Sequence, residues 1–394
     1  MNNLTTSPFW RVLNREWGRI RSRPVYVLLA LVLPLIALLA PRAIFEHGVP
    51  RQLPIAICDL DHSDLSRQII RSLEGNSHLQ LRNQVTDPES GRQLVLSGRV
   101  YGLVILPQHL ERDANLCRGP KIAYFYNNQW FSVGGIVSRE IGGVINAETM
   151  FLKARLYQSR GKLPSAAEVQ SNPIVIDSHT LFNPFLNYDH FLATPLVPTL
   201  LQVVVTMTTI FVIGLELKRS TITAWLEAAG GDLLTALAGK LLPYTIAFFV
   251  IAAAFNLWLF RLVGIPQQSS PALLLVATAA MVLAYQGVGV LIISVAGNMR
   301  LGLSAAAIYC GPAFAFSGVT FPFIAMTGGA KFWSSILPLS YFLRILVDQA
   351  IRGAPWRASL GALGTLCIFV LMGLLAAHFR LPKVLADEHY WGNP

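Results

Sequence analysis

The sequence predicts a polytopic α-helical membrane protein, with six transmembrane helices in a one-plus-five layout and a mixed α/β extracytoplasmic domain inserted after the first. Two observations carry this. One apolar block near the N-terminus precedes a long hydrophilic stretch, and five more apolar blocks then follow almost back to back. The 394-residue chain is also 53% hydrophobic and only 13% charged, with mean hydropathy +0.50, more apolar surface than an aqueous fold of this size can hide. A soluble enzyme is excluded.

Residues 1–23 open the chain. Phe9, Trp10, Leu13, Trp17 and Ile20 recur at helical spacing while Arg11, Arg15 and Arg19 take other faces, which predicts an amphipathic helix in the inner membrane interface. A plain basic flank for the first span is the alternative. The segment also has the ingredients of a signal peptide, against which the helical periodicity argues. Residues 24–45 form the first span, interrupted by Pro34.

Residues 46–190 read as the inserted domain. Leu53–Asp59 suits a strand, Ser63 caps a helix carrying Leu65, Ile69, Ile70 and Leu73 on one face, and Val100–Leu106 and Lys121–Tyr126 are further strand candidates. Val133–Leu156 has helical periodicity, weakened by four glycines. Asp59, Asp61, His62 and Asp64 invite a metal reading, but their spacing fits no calcium loop, and a turn with a helix cap accounts for them better. Cys58 and Cys117 could form a disulfide in an oxidising compartment or stay apart, while Cys310 and Cys367 fall in spans as small packed residues.

Residues 191–378 hold five spans near Leu192–Leu215, Leu241–Phe260, Pro271–Val295, Leu301–Phe323 and Leu360–Ala377, each close to the ~20 residues a helix needs to cross the hydrocarbon. Residues 379–394 form a tail. Between Phe323 and Arg357 the chain is apolar but broken by Gly328, Gly329, Pro338 and Pro355. A pair of half-helices dipping back over 324–357 fits, with Arg344 and Asp348 four apart at its polar end. An ordinary extracytoplasmic loop is the alternative. Pro312 and Pro322 would each interrupt the fifth span.

Arg11, Arg15, Arg19, Arg21 and Arg23 crowd the first span against the single acid Glu16, which predicts a cytoplasmic N-terminus. Counting spans then puts the inserted domain outside and the loop 216–240, Arg300 and the tail inside. Most of the formal +10 charge is topology, and the soluble part shows no sign of nucleic-acid binding.

No zinc-protease, nucleophile-elbow or metal-cysteine pattern occurs, so transport leads and no catalytic residue, cofactor or metal is assigned to the chain. Spans two to six carry no Asp or Glu at their centres, which disfavours coupling to an ion gradient. The phosphate-loop pattern fails around Gly239-Lys240, because Leu234 and Leu241 occupy required positions. A separate cytoplasmic ATPase, carrying ATP and magnesium, would supply the energy.

Glu216-Leu-Lys-Arg-Ser-Thr221, Leu226 and Gly239-Lys-Leu-Leu-Pro-Tyr244 resemble the cytoplasmic loop of permease subunits of type-2 ATP-binding-cassette exporters, although Lys218 stands where a second Glu is usual and Ser220 where Gly is usual. Ser317-Gly-Val-Thr-Phe-Pro322, Leu337–Arg344 and Arg352-Gly353 are similar to the family's fifth span and broken outer helices. Ile55–Asp61 with Leu65-Ser66, Gly102–Pro107 and Phe182-Asn-Pro184 match its subgroup with a large extracytoplasmic insertion.

The resemblance implies a dimer with a second copy or a similar permease, a docked nucleotide-binding subunit, and a bacterial inner-membrane location with both termini cytoplasmic. Glu216, Lys218, Arg219, Thr221 and Leu226 are then the expected coupling residues. Thr206, Thr208, Ser317, Pro322, Pro338 and Tyr341 are expected along the path or gate. The large outer domain suits handover to a periplasmic adaptor, with lipids or amphiphilic drug-like molecules as cargo. The rival is a non-transporting membrane protein whose outer domain binds a partner.

Overall fold

The computed structural model describes residues 7–45, 50–116, 118–127, 131–159, 192, 194–262 and 271–392. They form two units, His47–Asn187 and the remainder, Met1–Glu46 with Tyr188–Pro394.

Within His47–Asn187 a four-stranded sheet runs in the order β2-β1-β3-β4, with β1 Leu53–Asp59, β2 Leu79–Val85, β3 Gly102–Leu106 and β4 Ala123–Tyr126. β1 is parallel to both β2 and β3, and β4 is antiparallel to β3. Ile55, Ile57 and Val104 face one side and meet Ile69, Leu73, Ile136, Val137 and Ile141. Ala56, Cys58 and Leu103 face the other, as period-two alternation requires of strands covered on both sides. The expected strands occur, and Phe131–Ser159 is a single long helix despite its glycines. β2 and the helices Pro88–Leu96 and Leu110–Asn115 were not expected. Cys117 and Phe182–Pro184 lie outside the described residues.

Among the described residues, the other unit contains six helices long and apolar enough to cross a membrane: Pro24–Pro41, Thr194–Lys218, Leu233–Arg261, Pro271–Ala296, Met299–Phe316 and Trp356–Ala386. Proline shapes several of them. Pro34 lacks an N–H and crowds the carbonyl four residues earlier, and the first span widens into a π-turn at Leu28–Val32 just before it. The fifth span is shorter than expected. Its regular part ends at Cys310, because Gly311-Pro312 turns the chain into the four-residue helix Ala313–Phe316. Pro322 therefore lies beyond the span, starting a 3₁₀ turn at Phe323–Ala325. The sixth is longer than expected and continues through a π-turn at Ala376–Arg380 into Leu381–Ala386, whose Leu381, Val384 and Leu385 are buried. Two short helices, Gly328–Ser335 and Pro338–Leu346, stand where half-helices were expected.

Close approach through small residues builds the bundle, since lipid gives helices no hydrophobic reason to associate. A Cβ placed on Gly373 of the sixth span would lie 2.2 Å from the Gly287 Cα of the fourth. Polar side chains add specific links: Thr245 Oγ1 donates to Gln286 Oε1 at 2.9 Å, and Asn256 Nδ2 to Thr278 Oγ1 at 3.1 Å.

Replacing Gly373 by Val should force these two backbones apart and lower the midpoint of thermal unfolding in detergent, at a cost of about 1–3 kcal/mol or more. Gly364, on the same helix, faces open space. Its valine variant should unfold at the wild-type temperature, and equal midpoints for the two variants would count against a crossing held by contact.

Candidate functional site

The loop between the second and third spans, the N-terminal helix and the tail meet at one end of the bundle. The N-terminal helix, Pro8–Ser22, starts with proline at its first position, where a missing N–H costs nothing. Its tryptophans face away from the bundle and its paired charges face into it. Trp10 and Trp17 are exposed, whereas Val12 and Glu16 are buried and Arg15 and Arg19 turn inward. Val12 sits on the third span at Gly239, where an added Cβ would lie 2.9 Å from Val12 Cβ.

The inward arginines converge on Glu216, buried at the last turn of the second span. Arg15 forks onto both carboxylate oxygens at 2.9 and 3.1 Å. Arg19 also contacts both, with Nη2 at 3.2 Å from Oε2. Lys240 Nζ donates to Glu216 Oε1 at 2.7 Å and to Glu16 Oε2 at 2.9 Å. Thr221 donates its hydroxyl to Glu216, and Tyr244 donates to Glu16 Oε1 at 2.8 Å. Lys240 Nζ also lies 5.0 Å from the centre of the Trp225 ring, whose Nε1 donates to the Ala236 carbonyl at 3.2 Å. Three cations thus share two carboxylates, and the N-terminal helix, the second and third spans and the loop helix Ile222–Ala228 are tied to one centre.

Of the expected coupling residues, Glu216 is enclosed and Thr221 is committed to it, while Lys218 and Arg219 are exposed and Leu226 is half-buried. Ser220 holds φ +52°, in the left-handed region that favours glycine, so the serine at a usual glycine position keeps a glycine-like backbone. Beside the loop helix lies a groove of about 650 Å³ lined by Ile222, Thr223, Leu226, Leu233, Leu385 and Trp391. Its tail side is fixed by Gly392 N–H donating to the Leu217 carbonyl at 3.1 Å and by Trp391 Nε1 donating to the Leu385 carbonyl at 3.0 Å.

The expected path residues divide. Thr206 and Thr208 are buried in the second span, Thr206 donating to the Gln202 carbonyl at 2.8 Å and facing Cys310 of the fifth. Ser317 and Tyr341 line a cleft of about 460 Å³ at the opposite end of the bundle, formed with the two short helices. Pro338 starts the second of these helices, and Pro322 is exposed outside the cleft. Arg15, Glu16, Arg19, Lys240 and Tyr244 were not assigned from sequence. The signals were Glu16, alone among arginines, and Lys240, a charge inside an apolar run.

In the sheet unit, the carboxylates after β1 serve the backbone. Asp59 Oδ1 accepts the N–H groups of Asp61 and His62 at 3.0 and 3.1 Å, its Oδ2 accepts the Ser66 hydroxyl at 2.8 Å, and Asp61 Oδ2 accepts the Glu111 N–H at 3.0 Å. The crevice between the ends of β1 and β3, where strand order reverses and such sheets often bind ligands, is bridged by Asp61. Burial raises the Asp61 carboxyl, but hydrogen bonds from Ser63 and from the Glu111 backbone outweigh it and hold it below the ordinary range. Ser63 caps Asp64–Glu74 as expected, its Oγ accepting the Ser66 N–H at 3.1 Å. Among the described residues, no group of three His, Cys, Asp or Glu is placed to hold a metal ion.

Glu216→Gln would leave three cations facing one carboxylate. Loss of one partner from a buried pair costs about 3–5 kcal/mol. The variant should unfold at lower temperature in detergent and be cut by trypsin within Pro8–Ser22 faster than wild type, and an unchanged cleavage rate would count against the cluster as the anchor of that helix. Asp61→Asn tests the sheet unit. A carboxyl lowered by folding stabilises fully above its ordinary value of 3.8, and that contribution fades as pH falls through the lower folded value. Hydrogen exchange at the start of Leu110–Asn115 should therefore be faster in the variant at neutral pH, with the difference shrinking only below that ordinary value.

Residues 24–378 match the model of a family described as ABC-2 family transporter protein, a span that includes all but the N-terminal helix and the tail. No curated protein matches the chain significantly. With the family model covering most of its length over six membrane-capable helices, the chain belongs to the ABC-2 transporter family as a membrane permease of the ATP-binding-cassette type.

Proposed function

We propose that this permease works in export, as a dimer with a second copy or a similar permease, and that the loop 216–240 docks the ATP-binding partner subunit that family membership implies. The buried cluster around Glu216 carries this reading. Permease and ATPase must share a two-state rigid-body motion, and a loop pinned to two spans and an interfacial helix can pass such a motion on without unfolding. On this reading Lys218 and Arg219 meet the partner with Leu226 behind them, and Glu216 and Thr221 hold the loop in shape. The N-terminal helix, the loop and the tail lie in the cytoplasm of a bacterial cell with the permease in its inner membrane, and the inserted domain faces outward, where a periplasmic adaptor could take up cargo. Thr206 lies at the contact of the second and fifth spans and Thr208 is buried elsewhere on the second, and on this reading both line the path, with Ser317, Tyr341 and Pro338 at the outer gate. The cargo is a lipid or an amphiphilic drug-like molecule.

Isolation of the chain from its native membrane in mild detergent should bring an ATP-binding subunit with it. The charge-reversed Lys218→Glu, Arg219→Glu variant should lose that subunit at an unchanged unfolding temperature, since both side chains are exposed. A Glu216 variant would not serve, because it damages the fold as well. An ATPase that stays with the charge-reversed chain, or is absent from wild type, would overturn the docking assignment.

A further inference from the structure

The cleft opposite the loop has a charge arrangement unlike the rest of the bundle. Arg344, Asp348 and Arg352 stand at four-residue intervals on Pro338–Leu346 and the π-turn Val347–Ile351 that extends it. Arg352 Nη1 donates to Asp348 Oδ1 at 3.2 Å, while Arg344 Nε stays 3.9 Å from Oδ2, too far for a hydrogen bond. The carboxylate is nearly buried, whereas the arginine side chains are 71% and 60% exposed. One acid therefore steers two guanidinium groups toward the mouth and neutralises only one of them. Each guanidinium keeps most of its five planar donors for another acceptor.

The remaining walls are of two kinds. Ser334 Oγ donates to Ser340 Oγ at 3.1 Å on the polar side, so the Ser340 hydroxyl keeps its own proton to donate. The apolar side is Val319, Phe323 and Ile324, and Ile324 is 88% exposed, the most exposed large apolar residue described. Lys331 adds a further cation, its Nζ 5.8 Å from the Phe323 ring centre.

We propose that this cleft binds an anionic amphiphile, its phosphate or carboxylate headgroup held between Arg344 and Arg352 and its hydrocarbon chain lying over Val319, Phe323 and Ile324. Net positive charge with planar, forked donors selects an oxyanion head. The exposed apolar wall gives a chain attached to that head a surface to lie on, which a free inorganic anion would leave uncovered. At about 460 Å³ the cleft accepts a headgroup and the first methylenes but not a whole diacyl lipid. Asp348 is a positioning residue here, since it orients the arginines. The inference rests on the permease reading of the bundle and narrows its cargo to amphiphiles with an anionic head.

Native mass spectrometry of the full-length chain in a non-ionic detergent tests it, with lysophosphatidate, lysophosphatidylcholine and monoacylglycerol of one chain length and inorganic phosphate as probes. One lysophosphatidate should be retained per chain at about tenfold lower concentration than either uncharged or zwitterionic lipid. Arg344→Gln, Arg352→Gln should abolish the preference, and Arg357→Gln, outside the cleft, should keep it. Ile324→Glu gives a second route should the arginine variant fail to fold, and it should weaken lysophosphatidate alone. Equal retention of the three lipids, or a preference that survives both variants, would overturn the proposal. Inorganic phosphate bound as well as lysophosphatidate would overturn the amphiphile part and leave a simple anion site. The ATPase partner plays no role in this measurement. A chain that selects the anion yet brings no ATPase loses only the docking assignment, and one that brings an ATPase without selecting the anion loses only the cleft.

Discussion

A buried carboxylate at the end of the second span is the constraint around which the loop end is organised. Taking Glu216 out of water alone would be prohibitive, since an isolated charge in a medium of low dielectric costs tens of kcal/mol. Its presence therefore dictates its surroundings: Arg15 and Arg19 must come from the N-terminal helix, Lys240 from the third span and Thr221 from the loop. Lys240 in turn is held between Glu216 and Glu16. A hydrophobic core of equal volume would often be as stable. What the ionic cluster adds is direction, because forked arginines fix the angle at which the helix lies, where leucines would allow it to slide.

This explains why the N-terminal helix presents its charged face inward. Hydrophobic periodicity sets its tryptophans on the face expected in the membrane interface, where an aromatic ring can rest in the headgroup region with one edge wet. The inward face is decided by pairing, because Arg15 and Arg19 both reach Glu216. Trp10 and Trp17 are the residues that a membrane surface can accept, so exposing them sacrifices little.

What could be read from the sequence followed from signals that do not depend on distant neighbours. Runs of apolar residues located the six spans, a short apolar run located β1, and Ser63 located a helix start. β2 was missed because Leu79 and Leu81 alternate with Gln80, Arg82 and Asn83 and a register shift interrupts the pattern, leaving a polar edge strand that resembles a loop. The sixth helix continues past Ala377, where the apolar run ends, because Pro382 does not stop it. The structure places that proline at the start of Leu381–Ala386, where a missing N–H is harmless. The Glu216 cluster was only half legible, since its members come from positions about 200 residues apart and nothing local announces the pairing.

The two ends of the bundle are joined by the same elements that carry the cluster. The second span runs from Glu216 back to Gln202, whose Nε2 donates to the Cys310 carbonyl at 3.4 Å, just before the fifth span breaks at Gly311-Pro312. The fourth span receives Thr245 from the third through Gln286, and its Tyr285 hydroxyl accepts the Leu339 N–H at 3.0 Å at the start of the second short helix. Tyr309 of the fifth span donates to the Ile336 carbonyl at 2.5 Å in the same turn. A side chain that bonds to a helix-terminal backbone group cannot be shifted without losing that bond in a region where water is scarce. The short helices that wall the cleft are thus fastened to the spans by their backbone, while among the described residues the cleft's own arginines pair with Asp348 alone. In the proposed permease a tilt of the second and fourth spans would therefore move the wall of the cleft as one piece and change the spacing between its charged and apolar sides. That is the displacement needed to grip an amphiphile in one state and release it in the other.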